Sequence, residues 1–206
     1  MAVNGTNGLR ILGIAGSLRR DSYNRKLLAA AVELAPEPLR IEVFDLIDVP
    51  LYNGDLDVDG RRPEAVERLK RAISEAHGLL IASPEYNHSV PGVLQNAIDW
   101  ASRPGGKSAF VGKPVAIMGA SPGAIGTARA QQALKLVLMS TLALVMPHPG
   151  MVVGQVAEKF GPEGGLIHEP TRKFLEAFLK DLRDWTLRVG RIPEQVEQES
   201  AAAQAG

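Results

Sequence analysis

The sequence predicts a doubly wound α/β domain, with five parallel strands in one sheet and helices on both faces. Three observations point there. Short apolar runs alternate with helical patterns along the chain. Most of those runs are continuous rather than alternating, as strands covered on both faces require. No linker or internal repeat divides the 206 residues, a length that suits one domain with a real core.

The elements follow in order. Ile11 to Ala15 is a short apolar strand that ends at Gly16. Leu27, Leu28, Ala31 and Val32 then mark the buried face of a helix. Ile41 to Leu46 reads as a second strand. Pro63 opens a helix whose face is Val66, Leu69 and Ile73, because proline suits the first helical turn. Leu79 to Ala82 is the third strand. Pro91 opens another helix, with Val93, Leu94, Ala97, Ile98 and Ala101 at helical spacing. Pro114 to Met118 is the fourth strand and Thr127 to Ser140 the fourth helix. Ala143 to Met146 is the fifth strand, resumed at Met151–Val153, and Phe174 to Trp185 belong to the last helix. Residues 1–8 are expected to be a flexible N-terminus, 9–190 the folded domain and 191–206 a disordered tail.

Composition excludes several classes of function. Lysine and arginine number 23, aspartate and glutamate also 23, so formal net charge is zero. That argues against a broad nucleic-acid or anionic-membrane surface. The chain has no cysteine, hence no disulfide scaffold, thiol nucleophile or cysteine metal site. His77, His88, His148 and His168 are scattered without metal-ligand spacing. Neither a signal-peptide pattern nor a long apolar span is visible, so a cytoplasmic location is expected. Two N-x-S/T triplets, at Asn4 and Asn87, read as chance without a secretion signal.

Three motifs look functional and are weak. Gly106-Lys107-Ser108 resembles the end of a P-loop, but Ala101 stands where a further glycine belongs, and the segment follows a helix. Gly13 to Leu18 is not a dinucleotide G-x-G-x-x-G. Gly119-Ala120-Ser121-Pro122-Gly123 is a formal G-x-S-x-G after a strand, which makes a serine esterase using Ser121 one alternative. Pro122, however, has no N–H for an oxyanion hole, and one lost donor costs about 3 kcal/mol. No acid lies between Ser121 and His148, and only Glu158 and Glu163 lie between His148 and His168.

In a doubly wound sheet, ligands sit outside the carboxyl ends of the strands where strand order reverses. The loops after strands one, three and four are therefore the candidates. The first, Gly16 to Asn24, leaves a strand and enters a helix, whose first N–H groups lack partners. With Ser17, Arg19, Ser22 and Asn24 it matches a phosphate monoester; the plainer reading is a helix cap with solvated arginines. The second, Ser83 to Gly92, carries Pro84, Glu85, Tyr86 and Asn87, a flat face and polar edge suited to a heteroaromatic ring, or an ordinary rigid turn. In the third, Ser121 to Thr127, small residues such as Gly123 let backbone amides approach a ligand, or merely permit a tight turn.

Taken together, phosphate cradle, ring platform and close amides describe a flavin mononucleotide site. The elements Gly16-Ser17-Leu18-Arg19 with Ser22 and Asn24, Ser83 to Asn87 through Ser89-Val90-Pro91-Gly92, and Asn96 to Trp100 resemble the NADPH-dependent FMN reductase family. The nearest likeness is to its chromate, quinone and azo-dye reductase branch, over residues 9 to 187. The resemblance implies a flavodoxin-like fold binding FMN and reducing it with NADPH or NADH. Acceptors would be a quinone, chromate, azo compound, ferric chelate or free flavin. By position, Ser17, Arg19, Ser22 and Asn24 would hold the phosphate. Pro84, Glu85, Tyr86 and Asn87 would line the ring and ribityl chain, and Ser121 and Gly123 would sit near the pyrimidine end. No catalytic residue is implied, since the flavin carries the chemistry. Members assemble as homodimers or homotetramers, and Arg129 resembles a position linked to assembly. Thr127 departs from the family's usual glycine. A flavodoxin-type electron carrier is the other alternative, which zero net charge disfavours.

Overall fold

The computed structural model describes residues 8–58 and 61–190. The expected tail at 191–206 and residues 1–7 of the expected N-terminus lie outside the described residues. Strands β1 (Leu9–Ala15), β2 (Leu39–Phe44), β3 (Gly78–Ala82), β4 (Pro114–Ala120), β5 (Leu144–Val145) and β6 (Met151–Val153) form one sheet. Helices α1 (Tyr23–Glu33), α2 (Glu64–Glu75), α3 (Gly92–Ala101), α4 (Ala128–Ser140) and α5 (Glu169–Gly190) cover it.

The strand order is β2-β1-β3-β4-β5, with β6 also paired to β4, and every pairing is parallel. This is the flavodoxin-like arrangement. The expected fifth strand proves to be two short pieces, each hydrogen-bonded to a different stretch of β4. Strand order reverses between β1 and β3, which puts a crevice over their carboxyl ends.

Two apolar layers flank the sheet. On one face Leu27, Leu28, Leu175, Phe178 and Leu182 from α1 and α5 pack against Ile11, Leu80 and Met118. On the other, Leu69, Ile73, Leu94, Ile98, Leu134 and Leu138 from α2, α3 and α4 pack against Ile14, Leu79 and Ile117. Burying each such side chain contributes roughly 1.5–3 kcal/mol. Strands β3 and β4 are buried at every position, as their apolar runs require.

Three expectations need correction. Strand β2 is partly exposed along its length, because it is an edge strand with a neighbour on one side only. Val32 points to solvent at 42% exposure, and Ala30 takes its place on the buried face of α1. Pro63 and Pro91 stand one residue before their helices, as caps with extended backbone.

At the sheet's amino end, His77 joins α2 to β3. Its N–H donates to the Arg10 carbonyl at 2.8 Å, and its Nδ1 accepts the Arg10 N–H at 3.0 Å. Burial pushes its pKa below the ordinary 6.5, and the charges of Arg10 and Lys113 push the same way. The unfolded chain therefore binds more protons than the folded one just below that value. Stability is full above pH 6.5 and falls as pH drops through the lower folded pKa. Denaturant midpoints at about pH 7.5 and about pH 5.5 should differ more in the parent than in His77→Asn. Equal differences in the two proteins would refute the coupling.

Candidate functional site

The three candidate loops leave the sheet side by side because each start is pinned to the neighbouring strand. The Gly16 N–H donates to Ala82, that of Ser83 to Met118 and that of Ser121 to Val153, at 2.9 Å in each case. The strand ladder thus continues one residue past the strands and fixes where the loops begin. A cavity of about 250 Å³ opens between them. The first loop lines it with Ser17, Arg19, Ser22, Tyr23 and Asn24, the second with Pro84, Glu85 and Tyr86, the third with Ala120, Ser121 and Pro122.

Of the ten residues expected at the site, eight meet at this cavity; Asn87 and Gly123 are not on its wall. Asn87 lies in the turn behind Tyr86, and the Gly123 N–H donates to Ser121 Oγ at 3.2 Å. Tyr23, Ala120 and Pro122 also line the cavity and escaped the sequence reading. Tyr23 lies in the first candidate loop, but the sequence carries no signal that assigns it a role at the site. The other two stood beside Ser121 with nothing polar to mark them.

The first loop gathers hydrogen-bond donors at the start of α1. Ser22 caps α1 with extended backbone, and its Oγ accepts the Asn24 N–H at 3.2 Å. Ser17 and Ser22 are buried polar groups at the cavity wall. The backbone N–H groups of Ser17, Leu18 and Arg20 find no protein acceptor among the described residues. Arg19 is exposed, and its Nη2 donates to the Asp21 carbonyl at 2.8 Å. Free amides, two hydroxyls and a guanidinium at a helix start form the donor set of a phosphate site. Arg25, unremarked in the sequence, braces this loop from beneath. Its Nε donates to the Ser17 carbonyl at 3.1 Å, and its Nη2 pairs with Asp45 after β2.

Asn24 is placed otherwise than a phosphate ligand. Its Nδ2 donates to the Ala120 carbonyl at 3.0 Å and its Oδ1 accepts the Ala120 N–H at 2.9 Å. The carboxamide thus ties the start of α1 to the end of β4, at 2% exposure. Both polar atoms of that group bond to the Ala120 backbone, so its main contacts are within the protein.

The second loop turns sharply. Tyr86 and Ser89 exchange backbone hydrogen bonds of 3.3 and 3.0 Å, and the two residues between, Asn87 and His88, hold left-handed φ of 51° and 62°. Two positive φ values in a two-residue turn match the twist of paired extended segments. The turn holds Tyr86 half exposed, beside the cavity. Ser83, fully buried, donates its hydroxyl to the Pro84 carbonyl at 2.9 Å.

Glu85 lines the cavity, but its carboxylate is spent elsewhere. Oε2 accepts the N–H groups of Arg129 and Ala130, the second and third residues of α4, at 3.0 and 3.1 Å. Burial alone would push the carboxyl up; the Ala130 N–H, the His88 ring and the Arg129 N–H outweigh it and hold the pKa below its ordinary value. Thr127 is fully buried, and its Oγ1 accepts from Gln131 Nε2 at 3.1 Å. The departure from glycine here therefore serves packing under the third loop.

Among the described residues, Ser121 of the G-x-S-x-G segment has no histidine hydrogen-bonded to it. Ser121 Oγ accepts the Gly123 N–H, while His148 Nδ1 accepts the Gly150 N–H at 3.0 Å and its Nε2 lies 3.7 Å from Asp181. His168 Nδ1 pairs with the Thr171 hydroxyl at 2.8 Å. Among the described residues no cluster of His, Asp and Glu is arranged to hold a metal ion, and no helix is long and apolar enough to cross a membrane.

Residues 9–158 match the family described as NADPH-dependent FMN reductase. A 2-hydroxy-1,4-benzoquinone reductase from a Burkholderia species is 44% identical over 177 residues, spanning 86% of this chain and 96% of that protein. An NAD(P)H-dependent FMN reductase from Pseudomonas aeruginosa is 42% identical over 184 residues, 89% of this chain and 98% of its own length. Among solved structures, the flavoenzyme NAD(P)H:(acceptor) oxidoreductase FerB from Paracoccus denitrificans superposes with a TM-score of 0.80 at 40% identity, covering 87% and 97% of the two chains.

Proposed function

We infer the work of this cavity from one premise: the chain belongs to the NADPH-dependent FMN reductase family. It is an FMN-dependent NAD(P)H oxidoreductase. FMN held here would supply the redox chemistry, with electrons drawn from the nicotinamide and given to an acceptor.

The observation that carries the assignment to this cavity is the unpartnered set of N–H groups at Ser17, Leu18 and Arg20, beside two buried serines at a helix start. Such donors fit a dianionic phosphate, and a rigid Tyr86 turn beside them fits a ring. In this reading Ser17, Ser22 and Arg19 hold the phosphate. Pro84, Tyr86 and Ser121 flank the isoalloxazine and ribityl chain, and Asn24 and Glu85 set the loops in register. Asn87 and Gly123 support the second and third turns from behind the wall. In this reading the protein's part is to bind and orient the cofactor, which would supply the chemistry.

A quinone is the acceptor class that the named activities of two kinds of relative support, the Burkholderia hydroxybenzoquinone reductase and the quinone reductases of Pseudomonas putida. The folded unit is residues 9–190, and the working assembly is a homodimer or homotetramer in the cytoplasm.

The test is an absorption spectrum of the purified protein, then NADPH and NADH oxidation with FMN and a benzoquinone. Flavin absorbance and quinone-dependent nicotinamide consumption are expected. A flavin-loaded protein that consumes no nicotinamide would instead be an electron carrier, and the reductase assignment would fall.

A further inference from the structure

One side chain bolts the second loop to the helix that follows the third. The Glu85 carboxylate reaches from the ring turn to α4, 44 and 45 residues along the chain, and both of its oxygens are engaged. Oε2 takes the Arg129 and Ala130 N–H groups. Oε1 lies 3.4 Å from His88 Nδ1 and 3.9 Å from Arg129 Nη1. Arg129 Nη1 closes the triangle on His88 Nδ1 at 3.0 Å. The Glu85 side chain is only 11% exposed, whereas those of His88 and Arg129 are 72% and 51% exposed, so the carboxylate is the buried pivot.

Two physical features make this a clamp rather than a loose contact. A carboxylate at a helix start meets the positive end of the helix dipole and satisfies amides that have no partner within the helix. The same residue leads directly into the turn whose Asn87 and His88 hold left-handed backbone, a conformation that persists only where surrounding contacts over-determine it. Helix α4 follows the third loop, whose start at Ser121 is pinned to Val153, so holding the first turn of α4 fixes that loop at its other end.

We propose that Glu85 is a positioning residue, whose carboxylate locks the Tyr86 turn to the first turn of α4 and thereby sets the gap between second and third loops that receives the flavin ring. Its carboxylate is spent on helix amides. The proposal rests on the FMN reading above, and it separates Glu85 from the residues that contact the cofactor.

The experiment compares the parent with Glu85→Gln and Glu85→Ala, all stripped of FMN. Hydrogen exchange over the first turn of α4 is measured without FMN. Then FMN affinity is measured by quenching of flavin fluorescence, and the unfolding temperature of each apoprotein is recorded. Exchange about tenfold faster and FMN Kd about tenfold higher are expected in Glu85→Ala, with a smaller change in the neutral, isosteric Glu85→Gln. Apoprotein unfolding temperatures should stay within a few degrees of one another. Unchanged exchange overturns the clamp. Faster exchange with FMN affinity within twofold of the parent reduces Glu85 to a helix cap, and loss of affinity only in step with loss of the fold assigns it to general stability; both overturn the proposal. A parent that itself takes up no FMN overturns the flavin reading, and the exchange result, read without FMN, keeps that failure distinct.

Discussion

Alanine at Gly119 is expected to lower stability by about 3 kcal/mol, the upper part of the range for overpacking a tight interior. Gly119 lies in β4 just before the third loop. A Cβ there would sit 2.1 Å from Thr127 Oγ1 and 2.3 Å from the Ser83 carbonyl oxygen. Ser83 is backbone, pinned by its own hydrogen bond to Met118, and Thr127 is fully buried with its hydroxyl held by Gln131. Neither can swing away, so β4 must separate from the second loop to admit one methyl group. For a chain of this size 1 kcal/mol shifts the unfolding midpoint by roughly 2–4 °C, so the fall should be on the order of 10 °C. Gly92→Ala is the matched control. A Cβ at Gly92 meets nothing within 4 Å and gains helix propensity, so its midpoint should hold or rise. A Gly119→Ala midpoint within about 2 °C of the parent would show that the strand end gives way freely.

Arg19→Ala is expected to weaken FMN binding by about 10- to 100-fold while leaving the fold intact. A hydrogen bond to a charged partner contributes about 1.5–3 kcal/mol, and the phosphate carries close to two charges. The side chain is exposed and, among the described residues, hydrogen-bonds only the Asp21 carbonyl of its own loop. Its removal should therefore move stability by no more than about 0.5 kcal/mol. Arg19→Lys keeps the charge and loses the planar fork, so its affinity should fall between the two. The measurement is an FMN titration of apoprotein beside a thermal melt. If Arg19→Ala holds FMN as tightly as the parent, the phosphate does not lie at this loop.

Much of this molecule was legible before any coordinates. The apolar runs at Leu79–Ala82 and Pro114–Met118 could only be buried central strands, and the chain's rhythm of strand and helix demanded a parallel sheet. The switch-point rule then pointed at three loops, and those loops do share one cavity. The fine roles were not legible. Asn24 and Glu85 carry the same polar groups whether they face a ligand or a neighbouring backbone. Their partners are backbone groups, of Ala120 in one case and of Arg129 and Ala130 in the other, which no side-chain pattern marks and which lie 96 and about 45 residues away. Arg25 and Asp45 pair across two loops that no local pattern relates.

Local chemistry alone therefore determined the element types, the parallel sheet and the strip of chain where a ligand belongs, because hydrophobic period and loop composition act over a few residues. Which polar side chains face that ligand and which brace the loops around it was decided only in three dimensions. A hydrogen-bonding group has a fixed number of bonds to make, and only the folded chain shows which neighbour claims them.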